Sequence, residues 1–95
     1  MPRIGVSAGS GTRVSHGRAT TGSVAGGGSA SVVVTIAPTM ADTNYTASAA
    51  VQDAANDLRI LAVTAKTTSS VTVAVSNSDA INAATGTVNV LAVHD

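Results

Sequence analysis

From Ser31 onward, apolar and polar positions alternate. Val32, Val34 and Ile36 share one phase, and Val33 and Thr35 take the other. The same period of two recurs through Tyr45, Ala47, Ala49 and Val51, and again through Leu58, Ile60, Ala62 and Thr64. It returns in Val71, Val73 and Val75, and in Val88, Val90 and Ala92. Successive side chains of a strand point to opposite faces, so each run predicts a strand with one face on a core. Turn formers separate the runs: Ala37-Pro38-Thr39, Asp42-Thr43-Asn44, Asp53 to Asp57, Lys66-Thr67-Thr68-Ser69 and Asn77 to Thr85. Pro38 cannot continue a central ladder. Ala is the best helix former, so Ala80–Ala84 has the composition for one helical turn. A helix over Thr46–Asn56 also competes. There the hydroxyl residues Thr46 and Ser48 and the period of two favour a strand.

Residues 1–30 read differently. Gly, Ser and Thr dominate, and weak alternation through Val14, Ala19 and Val24 leaves room for one edge strand. Gly26-Gly27-Gly28 marks a turn or hinge. The expected fold is therefore all-β: a small antiparallel β-sandwich of five to six strands or more with an extended N-terminal arm. The arm takes residues 1–30 and the sandwich module residues 31–95.

Composition says how such a module would hold together. The chain has 95 residues, no Phe, Trp or Cys, and a single Tyr. Val, Ile, Leu and Ala must make a core without large aromatic blocks, and so small a domain is marginal alone. Disulfides and thiolate zinc sites are excluded, and no cofactor is expected. Oligomerisation is the remaining staple. Several strands also look apolar on both faces. Val33 stands behind Val32 and Val34, Leu61 and Val63 behind Ile60, and Leu91 and Val93 behind Val90. An antiparallel sheet that exposes one face should alternate more cleanly. Val33, Leu61, Val63, Leu91 and Val93 are therefore candidate subunit-interface residues. Arg59, in the midst of an apolar strand, is a candidate to pair with an Asp of a neighbouring copy.

The net charge is zero but unevenly spread. Arg3, Arg13 and Arg18 give residues 1–31 a charge of +3, and Arg59, Lys66 and five Asp give the remainder −3. The three arginines are candidate arm contacts to a neighbour's acidic surface. They are too dilute for a nucleic-acid tail. No apolar run reaches the roughly 18–20 residues a membrane helix needs, so no membrane partner is expected.

The order of motifs carries a resemblance. A Val-rich strand is followed by Ala41-Asp42-Thr43-Asn44-Tyr45-Thr46 and then by Leu58-Arg59-Ile60-Leu61. Next come Lys66-Thr67-Thr68-Ser69-Ser70-Val71-Thr72-Val73 and the closing Gly86-Thr87-Val88-Asn89-Val90-Leu91-Ala92-Val93. Over residues 17–94 this resembles the small β-sandwich modules at the ends of bacteriophage tail fibres and related virion proteins, some similar to H-type lectins. The resemblance implies a homotrimer in a virion, assembled in the host bacterial cytoplasm. Fibre modules often carry aromatic residues in the last strand, where this chain has Val90 and Leu91. They also usually follow a long shaft, whereas a Met stands here only some 30 residues upstream. Both departures favour a capsid decoration protein bound to the major capsid protein over a tail-fibre tip that binds a glycan receptor.

Enzymatic signals are weak. Ser15-His16 with a distant Asp can be drawn as a triad, but triads are defined by geometry. Ala8-Gly9-Ser10-Gly11-Thr12 lacks the Lys of a phosphate loop. Asp53 and Asp57 share a loop that could hold Ca²⁺ only with many added oxygens. Tyr45 could stack on a sugar, but the stronger reading makes it a core anchor with its hydroxyl at the sheet edge. The expectation is a non-enzymatic protein whose arm is needed for attachment, so that removing residues 2–25 leaves a folded oligomer.

Overall fold

The computed structural model describes residues 13–53 and 57–94. Six strands run in order: β1 (Arg13–Thr20), β2 (Ser29–Thr35), β3 (Thr46–Gln52), β4 (Leu58–Lys66), β5 (Ser70–Asn77) and β6 (Thr87–His94). They form two three-stranded antiparallel sheets, β1-β6-β3 and β2-β5-β4. The all-β antiparallel sandwich expected from the alternation is the fold observed. Only β4 and β5 are sequential neighbours within a sheet; every other connection crosses between sheets.

The core lies between the sheets and is built from short branched side chains. Val71, Val73 and Val75 of β5 face Val88, Val90 and Ala92 of β6, with Val32, Val34, Ile36 and Val24 around them. These valines suit a pleated, half-buried surface. Tyr45 is the one aromatic side chain of this core. It is buried, and its single hydroxyl proton is shared between the Thr67 carbonyl (2.6 Å), the nearer acceptor, and that of Ser70 (3.2 Å). Lys66 lies over the ring, its Nζ 4.9 Å from the centroid, and donates to the Tyr45 carbonyl. The core-anchor reading of Tyr45 describes its position.

β1 is built into the sandwich. It pairs with β6 along all eight residues, Arg13 opposite His94 through Thr20 opposite Thr87. At its outer edge His16 and Ala37 exchange two backbone hydrogen bonds, each 3.1 Å. Ser15 Oγ donates to the Pro38 carbonyl, and Arg13 Nη1 donates to that of Thr39 (3.2 Å). Beyond the strand, Val24 and Ala84 exchange bonds of 2.8 and 3.0 Å. Residues 13–28 thus supply an edge strand and its connection to β2, which already begins at Ser29. Deleting residues 2–25 would strip a sandwich strand, so a deletion confined to the arm must stop at residue 12. Residues 1–12 lie outside the described residues.

Two further expectations are corrected. Ala80–Ala84 does not turn as a helix. Asp79 Oδ1 captures the amides of Ile81 (2.8 Å) and Asn82 (3.0 Å), and Ala84 bridges to Val24. A side chain that takes backbone donors locally competes with helix. In β4 the simple alternation breaks at two irregularities, between Ile60 and Ala62 and between Val63 and Ala65. An extra residue in one strand shifts the phase of the residues after it. Val63 therefore pairs with Val73 and packs on the core, while Leu61 stays outside.

Candidate interaction surfaces

Alternation along paired strands sets what each outer face displays. On the β1-β6-β3 sheet the outward rows are Val14–Val93–Thr46, His16–Leu91–Ser48, Arg18–Asn89–Ala50 and Thr20–Thr87–Gln52. One half carries three apolar side chains, Val14, Val93 and Leu91, among Thr46, His16 and Ser48, with Val14 50% and Leu91 49% exposed. The other half is polar and ordered by Arg18 Nε donating to Asn89 Oδ1 (3.0 Å). On the β2-β5-β4 sheet the rows are Ser29–Ser76–Arg59, Ser31–Ala74–Ala62 and Val33–Thr72–Ala65. Val33 is 62% exposed there, and Leu61, the unpaired residue of the first irregularity, 59%.

The candidate interface residues therefore divide. Val33, Leu61 and Arg59 share one outer face, and Leu91 and Val93 share the opposite one with Val14, a residue that the alternation pattern alone does not single out. Val63 belongs to the core side. No single flat contact can use both groups. Of the candidate arm contacts, Arg13 and Arg18 lie on β1, bonded to Thr39 and Asn89 of the body; Arg3 lies outside the described residues.

The catalytic and metal constellations come apart for physical reasons. Ser15 and His16 are adjacent in a strand, so they point to opposite sides. Ser15 is buried, its hydroxyl committed to the Pro38 carbonyl and 3.8 Å from Met40 Sδ, and His16 is outside. Asp53 turns both carboxylate oxygens onto its own loop, accepting from the amides of Asp57 (3.0 Å) and Leu58 (3.2 Å). An open depression joins Asp53, Asp57 and Asp79 with Asn82 and Thr85. Among the described residues no group of three or more His, Cys, Asp or Glu is placed to hold a metal ion. The phosphate-loop-like stretch Ala8–Thr12 lies outside the described residues. A second open depression, over β1 and β6, is lined by His16, Gly17, Arg18, Asn89 and Val90. It offers hydrogen-bonding groups but no enclosed wall. No helix of the described residues is long and apolar enough to cross a membrane.

Two carboxylates are held below the ordinary value of 3.8. For Asp42 the first cause is the Asn44 amide (2.8 Å), then the His94 imidazole, whose Nε2 lies 2.7 Å from Oδ1. For Asp79 the causes are the amides of Asn82 and Ile81, then the Asn82 side chain. A lowered carboxylate pKa stabilises the fold above the unfolded value, and this contribution is lost as pH falls through the folded value. The expected result is a melting temperature that declines with acid below about pH 4. In the Asp42→Asn/Asp79→Asn double variant, which still accepts those amides, the decline is shallower. Melts followed by circular dichroism across that range check it, and parallel curves would exclude these two groups as its source.

No protein-family model, no curated protein and no solved structure matches the chain.

Proposed function

We propose that this chain is a non-enzymatic structural protein of a bacteriophage virion, a capsid decoration protein that sits on the head as a homotrimer. The observation that carries the reading is the pair of large apolar side chains, Val33 and Leu61, left open on one outer face. A core of short side chains in a domain of this size gains from a second buried surface. The face around Val33 and Leu61 is otherwise Ser, Thr and Ala, with Arg59 at its rim. Contacts through it shield the apolar pair and leave Arg59 to meet an Asp of the next subunit. Arg13, the first described residue, faces His94 at the end of β6, and in this reading residues 1–12 reach the major capsid protein.

Light scattering on the purified chain at several concentrations tests the trimer. A mass that is a multiple of three 9.2 kDa chains is expected, and Leu61→Asp should abolish that multiple while leaving the β-sheet spectrum unchanged. Removal of residues 2–12 should keep the number of chains per particle and end co-sedimentation with capsid shells. A mass that never contains three chains refutes the trimer, and undiminished shell binding by the shortened chain refutes the tether.

A second reading, a tail-fibre or tail-tip module that binds a carbohydrate receptor, draws on the depression over His16, Arg18 and Asn89. It requires glycan binding by the isolated sandwich that is lost in Arg18→Ala.

A further inference from the structure

Of the four sheet edges, β2 is crossed at its end by β1, where Gly17 abuts the Thr35 carbonyl, and the other three are not treated alike. An unpaired edge is a template for another strand, and proteins blunt such edges with charges, bulges, prolines or covering chain. β1 is closed against the chain after β2 by the His16–Ala37 exchange and by the Ser15 and Arg13 bonds to Pro38 and Thr39. β4 is broken by two irregularities and carries Arg59 and Lys66. β3 has none of these devices. Its sequence, Thr-Ala-Ser-Ala-Ala-Val-Gln, holds no charge, no Pro and no Gly, and it pairs with β6 without a shift along all seven residues. Its inward side chains Ala47, Ala49 and Val51 stay half-buried, while their partners Val88, Val90 and Ala92 across β6 are fully covered. The core is thus open beneath this edge.

We infer that β3 is a self-pairing edge, the docking site for β3 of a second copy of this chain, which runs antiparallel to it about a two-fold axis through Ala49. The strand is complementary to its own reverse. About that axis Ala47 meets Val51, Ser48 meets Ala50 and Thr46 meets Gln52, so every pair is small or uncharged and no like charges oppose. The contact is isologous and joins two three-stranded sheets into one of six. It shields Ala47, Ala49 and Val51 and leaves the Val33–Leu61 face of the proposed trimer free. It therefore stands independently of that reading.

The chain has no cysteine, so a single Ala49→Cys substitution reports on this axis alone. Directly opposed residues of an antiparallel pair have Cα atoms about 4.5–5.5 Å apart, within the range a disulfide spans. Under mild oxidation Ala49→Cys should form a covalent dimer about an order of magnitude faster than Thr20→Cys, a control on β1 that can meet its copy only by collision. Ser48→Lys/Ala50→Lys places opposed lysines across the axis at positions already exposed. It should halve the particle mass with no change in circular dichroism. Equal cross-linking rates for the two cysteine variants, or an unchanged mass in the folded double-lysine variant, would overturn the inference. The two readings fail separately. A trimer in which Ala49→Cys does not cross-link removes only the edge contact; a cross-linked dimer without any multiple of three removes only the trimer. A monomer that does not cross-link, as expected if a foreign strand fills the edge in the particle, removes both.

Discussion

Gly17→Ala is expected to lower stability by about 3 kcal/mol, at the upper end of the cost of overfilling a packed site. Gly17 sits in the middle of β1, where the strand crosses the end of β2. A Cβ there would stand 2.0 Å from the Thr35 carbonyl oxygen and 3.0 Å from Val34 Cγ1. The first obstacle is backbone, so no rotamer change relieves it. In a domain of this size the loss amounts to a melting temperature lower by about 15 °C. Gly22→Ala is the matched control. Its φ is +68°, yet nothing lies within 4 Å of its added carbon. It should cost only the left-handed backbone penalty, about 1–2 kcal/mol. Thermal melts of the two variants separate close approach from backbone conformation. Hydrogen exchange adds the location: β1 amides should lose protection in Gly17→Ala before those of β5. Equal losses in the two variants would show that the crossing at Thr35 tolerates the methyl group.

The position of Gly17 illustrates how far the sequence is legible. A glycine inside a strand pattern signals a close backbone approach, so the signal is present, but the weak alternation of residues 13–20 hides the strand itself. Ala19 and Val14 are small or exposed, and the strand is held by pairing to β6 and by bonds to residues 37–39. Those partners lie far away in sequence. The runs from Val32 to Val93 are legible because a valine every second residue has few other uses. Their assignment to sheets is not, because all but one connection crosses the sandwich and no local residue records which sheet a strand joins. The same gap limits the surface reading. Leu91 and Val93 point outward as their phase predicts, but Val33 and Leu61 belong to the other sheet. Val63 is displaced by an irregularity that Leu61-Ala62-Val63-Thr64 does not announce, since each of these residues suits either phase. The uncharged edge of β3 stands plainly in the sequence, but only the strand order reveals it as an edge.

Asn77→Ala is expected to cost about as much as Gly17→Ala, about 3 kcal/mol, through hydrogen bonds and not sterics. Asn77 ends β5 and is only 3% exposed. Its Nδ2 donates to the carbonyls of Val24 (3.0 Å) and Asn82 (2.9 Å), and its Oδ1 accepts from the Asp79 amide (2.9 Å). Its own amide donates to the Gly28 carbonyl (2.9 Å). One side chain thereby joins the β1–β2 connection to the β5–β6 connection. Truncation strands the Asn82 carbonyl and the Asp79 amide, while Val24 keeps its bond from Ala84. Asn77→Asp keeps the shape and changes the chemistry. A carboxylate only accepts hydrogen bonds, so it would face two carbonyl oxygens with no donor and sit beside Asp79. At neutral pH this variant should be less stable than Asn77→Ala. Its folded-state pKa is then raised above the unfolded value, so the penalty shrinks as pH falls through that raised value and the acid form can donate to one carbonyl. Denaturant melts of both variants at pH 7 and pH 5 test this. The Asp variant should gain on the Ala variant at the lower pH; a gap that does not narrow would mean that water, not Asn77, satisfies the two carbonyls.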